Sequence, residues 1–544
     1  MYMKKIIYYL GAFLVLWGLF TGCYDDKSKT ARIPMPKITI LGDEALSGDR
    51  SNRIAYVGEE CELDCKVNWG TEDSTQYDFK WTYNGEEISQ ERVCRYTFNE
   101  SGSTYVTFQV IQKSTGLSWG ASLSVTVSAK YLLGWLILSD KEGRSALDFI
   151  HIDTYELYPD IYKTLHPDKP LGSQPFRLEQ HFTSAYDEIL VMQRGEPGLV
   201  ELDGRNFSQV IQTKDEFIGE KYPYEGFDPV QVCYANGTIS GVELLLTAKG
   251  EVYARMNKTV TSQFQTAQYP TIPLEYPGGM EITTFTFPKP TYYQLMFDNK
   301  NKRWLAIYKS SSNDKMLPLL VKNYDEEEFP DYFDFCNGMD QKMELVYAQT
   351  CDEWGGDCYL INILKDTETG KYYFQKCYLT WDSSTNTIKV SQPVQKEFAA
   401  GYNLTEDSQF WMLRGQNTYF QDSPHVFFTV DKKVYFYREQ NDKYYLYKDC
   451  NLGENPPTGK IVSIHTNAVV SEMGIAFSDG HFYICNLDPE EVVNAIARGN
   501  IDPSTPAVNA ELEIKHYSGL GNIVHSIFKY GRFSNWSSAE DRYR

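Results

Sequence analysis

Residue patterns with chemical potential are few in this chain, and most of them dissolve when their context is read. Gly116-Leu117-Ser118-Trp119-Gly120 has the Gly-x-Ser-x-Gly spacing of a nucleophile elbow, but that motif needs a strand before it and a helix after it. Here a strand is predicted to follow, and no histidine lies in the surrounding segment, so Ser118 reads as a turn residue. Gly519-Leu520-Gly521 lacks the third glycine and the βαβ setting of a dinucleotide fingerprint. The acidic run Asp325, Glu326, Glu327, Glu328, Asp331 and Asp334 has no regular calcium-loop spacing and reads as a solvated charge run. With 73 acidic residues, no carboxylate pair is singled out for glycoside hydrolysis. There is no Cys-x-x-Cys pair and the eight histidines are scattered, so neither a metal site nor a cofactor is expected.

Aromatic residues are the better candidates for contact with a ligand or partner. Trp354 sits in Cys351-Asp-Glu-Trp-Gly-Gly-Asp-Cys358, a predicted hairpin tip where a large indole is hard to bury. Trp411, Arg414 and Tyr419 lie on a segment entering a later β-unit. Such rings stack on sugar faces or anchor a partner protein. Trp81 and Trp135 are expected in the core instead.

The elements that would position these side chains are strands. From about Pro36 to Ser128 short alternating runs recur: Ile38 to Leu41, Glu60 to Val67, Tyr77 to Tyr83, Tyr105 to Gln112 and Ala121 to Val127, with Asn84-Gly85 as a hairpin turn. That fits an immunoglobulin-like sandwich with Trp81 at the core position of its third strand but without the antibody-type disulfide. Cys61 and Cys65 are four apart on the second run, and Cys94 could pair with either.

After Tyr131 the pattern becomes a repeat. Seven apolar hairpins recur about 50 residues apart, with one wider gap: Trp135 with Ala146, Ile189 with Leu199, Val242 with Val252, Tyr293 with Trp304, Glu344 with Tyr359, Val426 with Val434, and Gly474 with Phe482. Seven such units predict a seven-bladed β-propeller, with two large sandwiches as the alternative. A helix is expected at Pro489 to Arg498, and Glu511 to His516 with Ile523 to Lys529 are expected to close the ring on the first blade. The fold class is therefore all-β: an Ig/PKD-like sandwich (36–129) followed by the propeller (130–544).

The N-terminus reads as an address. Lys4 and Lys5 precede an apolar run from Ile6 to Phe20 that ends at Thr21, Gly22 and Cys23, a secretory signal (1–22) too short for a comfortable membrane span. Gly22-Cys23 resembles a lipoprotein lipobox, in which Cys23 is the lipidated residue, although Phe20 stands where Leu is usual. Residues 23–35 form a polar tether, and its Asp25-Asp26 pair resembles the surface-export signal of Bacteroidetes lipoproteins. The 52 basic and 73 acidic residues give a net charge of −21, which disfavours nucleic acid as a partner.

Together, Gly22-Cys23-Tyr24-Asp25-Asp26, the module around Tyr77 to Tyr83, the Ser114-Thr115-Gly116 turn, Gly134-Trp135-Leu136-Ile137-Leu138 and Ser145 to Ile150 resemble the PKD-like lipoproteins of Bacteroidetes. That resemblance implies a cell-surface protein anchored in the outer membrane, working beside a TonB-dependent transporter of the SusC type and its SusD-type lipoprotein. The expected function is non-catalytic: binding an oligosaccharide or peptide during nutrient uptake. The alternatives are a propeller-type hydrolase or lyase acting on a surface polymer, and a structural docking subunit with no ligand.

Overall fold

In the computed structural model the alternation from Tyr77 becomes the strand Tyr77–Tyr83, and Asn84 and Gly85 take φ of 50° and 85° to turn the chain into Glu86–Ser89. Positive φ at both central residues is the type I′ geometry that matches strand twist, which is why Asn-Gly stands there. The structure describes residues 36–41, 54–99, 102–128, 130–182, 187–219, 221–233, 242–256, 268–286, 293–309, 314–318, 320–321, 336, 339–352, 357–382, 384–385, 387–412, 425–467, 471–487, 496 and 512–529. Two units divide the chain, 1–127 and 128–544.

In the first unit a five-stranded sheet runs in the order Ile54–Tyr56, Ser118–Ser128, Gly102–Gln112, Tyr77–Tyr83, Glu86–Ser89. Ser118 begins a strand, so no helix follows it. Trp81 is fully buried beside Phe108, and its indole N–H donates to the Glu91 carbonyl at 3.0 Å. The expected run from Glu60 to Val67 is broken: Glu60–Leu63 pairs with Cys94–Thr97, whereas Lys66–Asn68 pairs with Thr39–Leu41. Cys61 and Cys65 therefore do not share a strand. The Cys61 thiol donates to the Tyr96 carbonyl at 3.2 Å, and no disulfide joins Cys61, Cys65 and Cys94.

The second unit holds seven sheets among the described residues, each antiparallel in its main ladder. Sheet 1 contains Gly134–Lys141, Arg144–His151 and Leu157–Tyr158, and is completed by the distant strand Asn522–Lys529. Sheet 2 runs through Pro175–Phe182, Asp187–Gln193, Val200–Asp203 and Gln209–Gln212; sheet 3 through Pro229–Cys233, Val242–Thr247 and Val252–Met256. Sheet 4 has Ile282–Phe285, Tyr293–Asp298, Arg303–Lys309 and Asp314–Pro318. Sheet 5 has Met343–Asp352, Cys358–Asp366, Tyr372–Asp382 and Thr387–Phe398, with Leu320–Val321 parallel beside the last. Phe410–Met412, His425–Val430, Lys433–Arg438 and Lys443–Asp449 form sheet 6; Ile461–Thr466, Glu472–Phe477, Phe482–Asn486 and Glu513–Tyr517 form sheet 7.

The second strands of these sheets are apolar on both faces because each is covered from both sides. In sheet 2, Ile189 and Val191 pack against Leu136 and Leu138 of sheet 1, while the alternate residues Leu190 and Met192 pack against Leu245 and Tyr253 of sheet 3. The same alternation carries the contact onward: Leu244 and Leu246 meet Met296 and Leu305, Leu295 and Phe297 meet Leu360 and Leu364, and Ile361 and Ile363 meet Val426 and Phe428. Phe427 and Phe436 then meet Ile475 and Phe477, and Ala476 and Ile484 return to Trp135 and Ile137 of sheet 1. Each sheet thus touches the next and the last touches the first, which makes the domain propeller-like. All seven predicted hairpins are found paired, as in Trp135↔Ile150 and Ile475↔Tyr483.

Ring closure differs from expectation in one respect. Only Asn522–Lys529 pairs with Gly134–Lys141; Glu513–Tyr517 instead forms the outer strand of sheet 7. The expected helix at Pro489 to Arg498 lies, apart from Ile496, outside the described residues. At the seam, Trp135 is fully buried with its indole N–H 3.4 Å from Glu472, which also accepts from Tyr155. Gly474 lies beneath that indole, and a β-carbon there would come within 2.6 Å of the ring.

A polar node interrupts the apolar contact between sheets 2 and 3. Arg255 is buried against Glu216, Glu243 at 2.5 Å and Glu201 at 3.8 Å, with its guanidinium 4.4 Å from the Tyr269 ring centre. Burial and the neighbouring Glu216 and Glu188 raise the Glu201 pKa well above the usual carboxylate range, and burial raises that of Glu216 despite Arg255.

Two outcomes test this packing. Trp135→Ala should cost about 3–5 kcal/mol in denaturant unfolding, because it empties the seam. A carboxyl whose folded pKa is raised gives stability that is complete below its unfolded pKa of about 4.3 and lost as pH rises through the folded value. Glu201→Gln should therefore melt above wild type at pH 8, with the gap closing as pH approaches 4.

Candidate functional site

The first strand of each sheet, and for sheet 1 the closing strand Asn522–Lys529, faces inward and has a neighbour in its own sheet on one side only. Such an edge leaves backbone donors and acceptors to be satisfied. Polar side chains bridge them from one sheet to the next. The Leu178 N–H donates to His525 Nδ1 at 3.3 Å, and the Phe285 N–H to Gln231 Oε1 at 3.0 Å. Gln349 donates to the Met412 carbonyl at 3.1 Å, while the Met412 N–H donates to the Tyr347 hydroxyl at 2.9 Å. Ser463 donates to the Ser526 carbonyl at 3.2 Å, and the Trp411 indole to the Thr466 hydroxyl at 3.2 Å.

These strands enclose a channel of about 420 Å³ to which all seven sheets contribute, a size typical of small-molecule sites. Its wall includes Arg177, Gln180, Gln231, Thr283, Tyr347 and Trp411, together with His465 and His525. Trp411 is half-buried: part of its ring packs on the core between sheets 6 and 7, and it lies 4.1 Å from His465, whose ring is in turn 5.6 Å from that of His525. Aromatic surface beside hydrogen-bonding groups is the composition that binds flat, polyhydroxylated or amide-bearing molecules.

Charge in the channel is nearly cancelled. Arg177 and Glu179 are held together by an ion pair of 2.5 Å. His525 retains some accessible surface but sits deep in the ring, and that desolvation, with Arg177 nearby, pushes its pKa down to about 3. It is therefore neutral at ordinary pH, and because Nδ1 accepts from Leu178 its proton resides on Nε2.

Of the residues singled out in the sequence, Trp411 is placed in this wall. Arg414, Tyr419, Trp354 and Cys23, like the acidic run from Asp325 to Asp334, lie outside the described residues. The rest of the wall, Tyr347, Gln349, His465 and His525 included, was not singled out in the sequence: Tyr347 and Gln349 lie within a predicted hairpin strand, His465 on a mixed polar and apolar run before the last hairpin, and His525 on the closing strand. Among the described residues no group of three or more His, Cys, Asp or Glu is placed to hold a metal ion, and no helix is long and apolar enough to cross a membrane.

The histidine gives a pH test. A folded pKa below the unfolded value of about 6.5 contributes stability that is present above 6.5 and lost as pH falls toward the folded value. His525→Asn should flatten that acid limb, sparing on the order of 2–3 kcal/mol between pH 6.5 and 4.5, read from denaturant midpoints across the range.

No curated protein matches the chain in sequence. Among solved structures it is similar to a quinoprotein alcohol dehydrogenase-like protein from Bacteroides thetaiotaomicron, at 12% identity and TM-score 0.32 over 89% of this chain and 95% of that one. It is similar also to the β-propeller domain of Cps50 (Swd1) from Myceliophteria thermophila, at 9% identity and TM-score 0.34 over 65% and 89%, and to that of Nup133 from Vanderwaltozyma polyspora, at 9% and 0.31 over 71% and 95%. At these scores the likenesses say nothing of function, and the propeller-like arrangement is carried by the chain's own sheets and interfaces. Residues 23–175 match the model of the PKD-like family, a span covering the sandwich and the first strands of the ring, so the chain carries a PKD-like domain at its N-terminal end.

Proposed function

We propose that this protein is a non-catalytic surface lipoprotein whose ring binds an oligosaccharide or peptide in its central channel. In this reading the seven sheets are the seven blades of one propeller. Cys23 carries the lipid, the acidic pair Asp25-Asp26 directs the chain to the outer face of the outer membrane, and the partners are a SusC-type transporter and a SusD-type lipoprotein. The observation that carries the reading is the channel: about 420 Å³, bordered by every sheet, with Trp411 and the two histidines in its wall. The lipobox-like Gly22-Cys23 and the PKD-like match support the address.

Binding is favoured over hydrolysis by one feature of that wall. Among its described residues Glu179 is the carboxylate, and Arg177 already engages it, whereas glycoside hydrolysis uses two carboxyls flanking the scissile bond.

Detergent-solubilised full-length protein, purified from its native envelope, should bring a large outer-membrane barrel with it. Mass spectrometry should find Cys23 acylated at the mature N-terminus, and Cys23→Ala should release the protein from membranes. A freely diffusing protein with an unmodified Cys23 would overturn the proposed location.

A further inference from the structure

The channel's chemistry narrows the class of ligand, and this step rests on the binding reading above. Three observations bear on it. Arg177 and Glu179 supply one charge of each sign and pair with each other at 2.5 Å, so neither is offered uncompensated to an ion in the channel. His525 accepts from a backbone N–H through Nδ1 and is not a cation at neutral pH. The chain as a whole carries −21, so an incoming anion meets an unfavourable field before it reaches the wall. Bringing an ion out of water into such a site without a counter-charge costs several kcal/mol.

What the wall offers instead is surface suited to uncharged polar molecules. Trp411 is fixed in orientation by its hydrogen bond to Thr466 and its contact with His465, so its ring is a rigid platform that loses little entropy when covered. Thr283 brings a hydroxyl and Gln180 an amide to the same channel, while the Thr284 hydroxyl donates to the Phe285 carbonyl at 3.2 Å and the Gln409 amide to the Asp407 carbonyl at 3.0 Å. Hydroxyls and amides both donate and accept, which matches a ligand whose every polar group does the same.

We propose that the channel takes the end of an uncharged oligosaccharide, stacked on Trp411 and hydrogen-bonded by the neutral side chains around it, and that acidic sugars, amino sugars and charged peptides are discriminated against.

Calorimetric titration of the full chain with size-matched neutral hexose oligosaccharides, uronic-acid oligosaccharides, glucosamine oligosaccharides and short charged peptides tests this. Neutral probes should bind tightest. Trp411→Ala should weaken them at least about tenfold, as truncating a buried aromatic anchor does, and Trp411→Phe should weaken them less. Glu179→Gln, which removes the partner of Arg177, should raise uronic-acid affinity by about fivefold or more. Tighter wild-type binding of a charged probe that is still weakened by Trp411→Ala overturns this inference and leaves the channel reading standing. Binding indifferent to Trp411→Ala, or no binding by any probe, overturns both.

Discussion

A sheet that is apolar on both faces cannot be stable in isolation; it requires a neighbour on each side. That requirement shapes the larger unit of this protein. Leu190 and Ile189 are adjacent in sequence yet serve different interfaces, and the same division of alternate residues recurs from sheet to sheet until Ala476 and Ile484 come back to Trp135. A linear stack of such sheets would leave two greasy ends exposed. Curving the stack until its ends meet removes both, and the inner edges are left surrounding a channel.

The inner edges then present a second problem, of hydrogen bonding instead of hydrophobicity. Strands around a ring diverge as they leave the axis, so one sheet's backbone does not continue the ladder of the next. Side chains reach across, as Gln231, Gln349, Ser463 and His525 do. These residues are polar for structural reasons, and they also make the channel wall polar. The lining thus owes its character first to the architecture, and Trp411 stands out because its indole N–H takes part in the bridging while part of its ring remains in the channel.

This division also explains what could be read from the sequence. The buried hairpins announced themselves: Trp135 to Leu138 or Val426 to Val430 is an apolar run because both faces are covered. Ile282–Phe285 and Phe410–Met412 did not, since strands of four and three residues with one edge on a polar channel show neither an apolar run nor a clean alternation. The channel wall was therefore least legible where it is built, and among the described residues Trp411 is the one that residue type had singled out. The break between Leu63 and Lys66 was hidden for the opposite reason: an alternating pattern continues through it although the chain changes partners. The charge node at Arg255 was invisible because its members come from three strands and a short 3₁₀ helix.

Six of the seven sheets are assembled from consecutive stretches of chain, but the first waits for Asn522–Lys529. While that strand is absent, Gly134–Lys141 shows a bare backbone edge next to an uncovered tryptophan. Contacts between residues so far apart in sequence carry a large loop-closure cost and form slowly. Another copy's terminal strand could fit the same groove with the same register, so the seam that locks a finished molecule is also its point of exposure to strand exchange during folding.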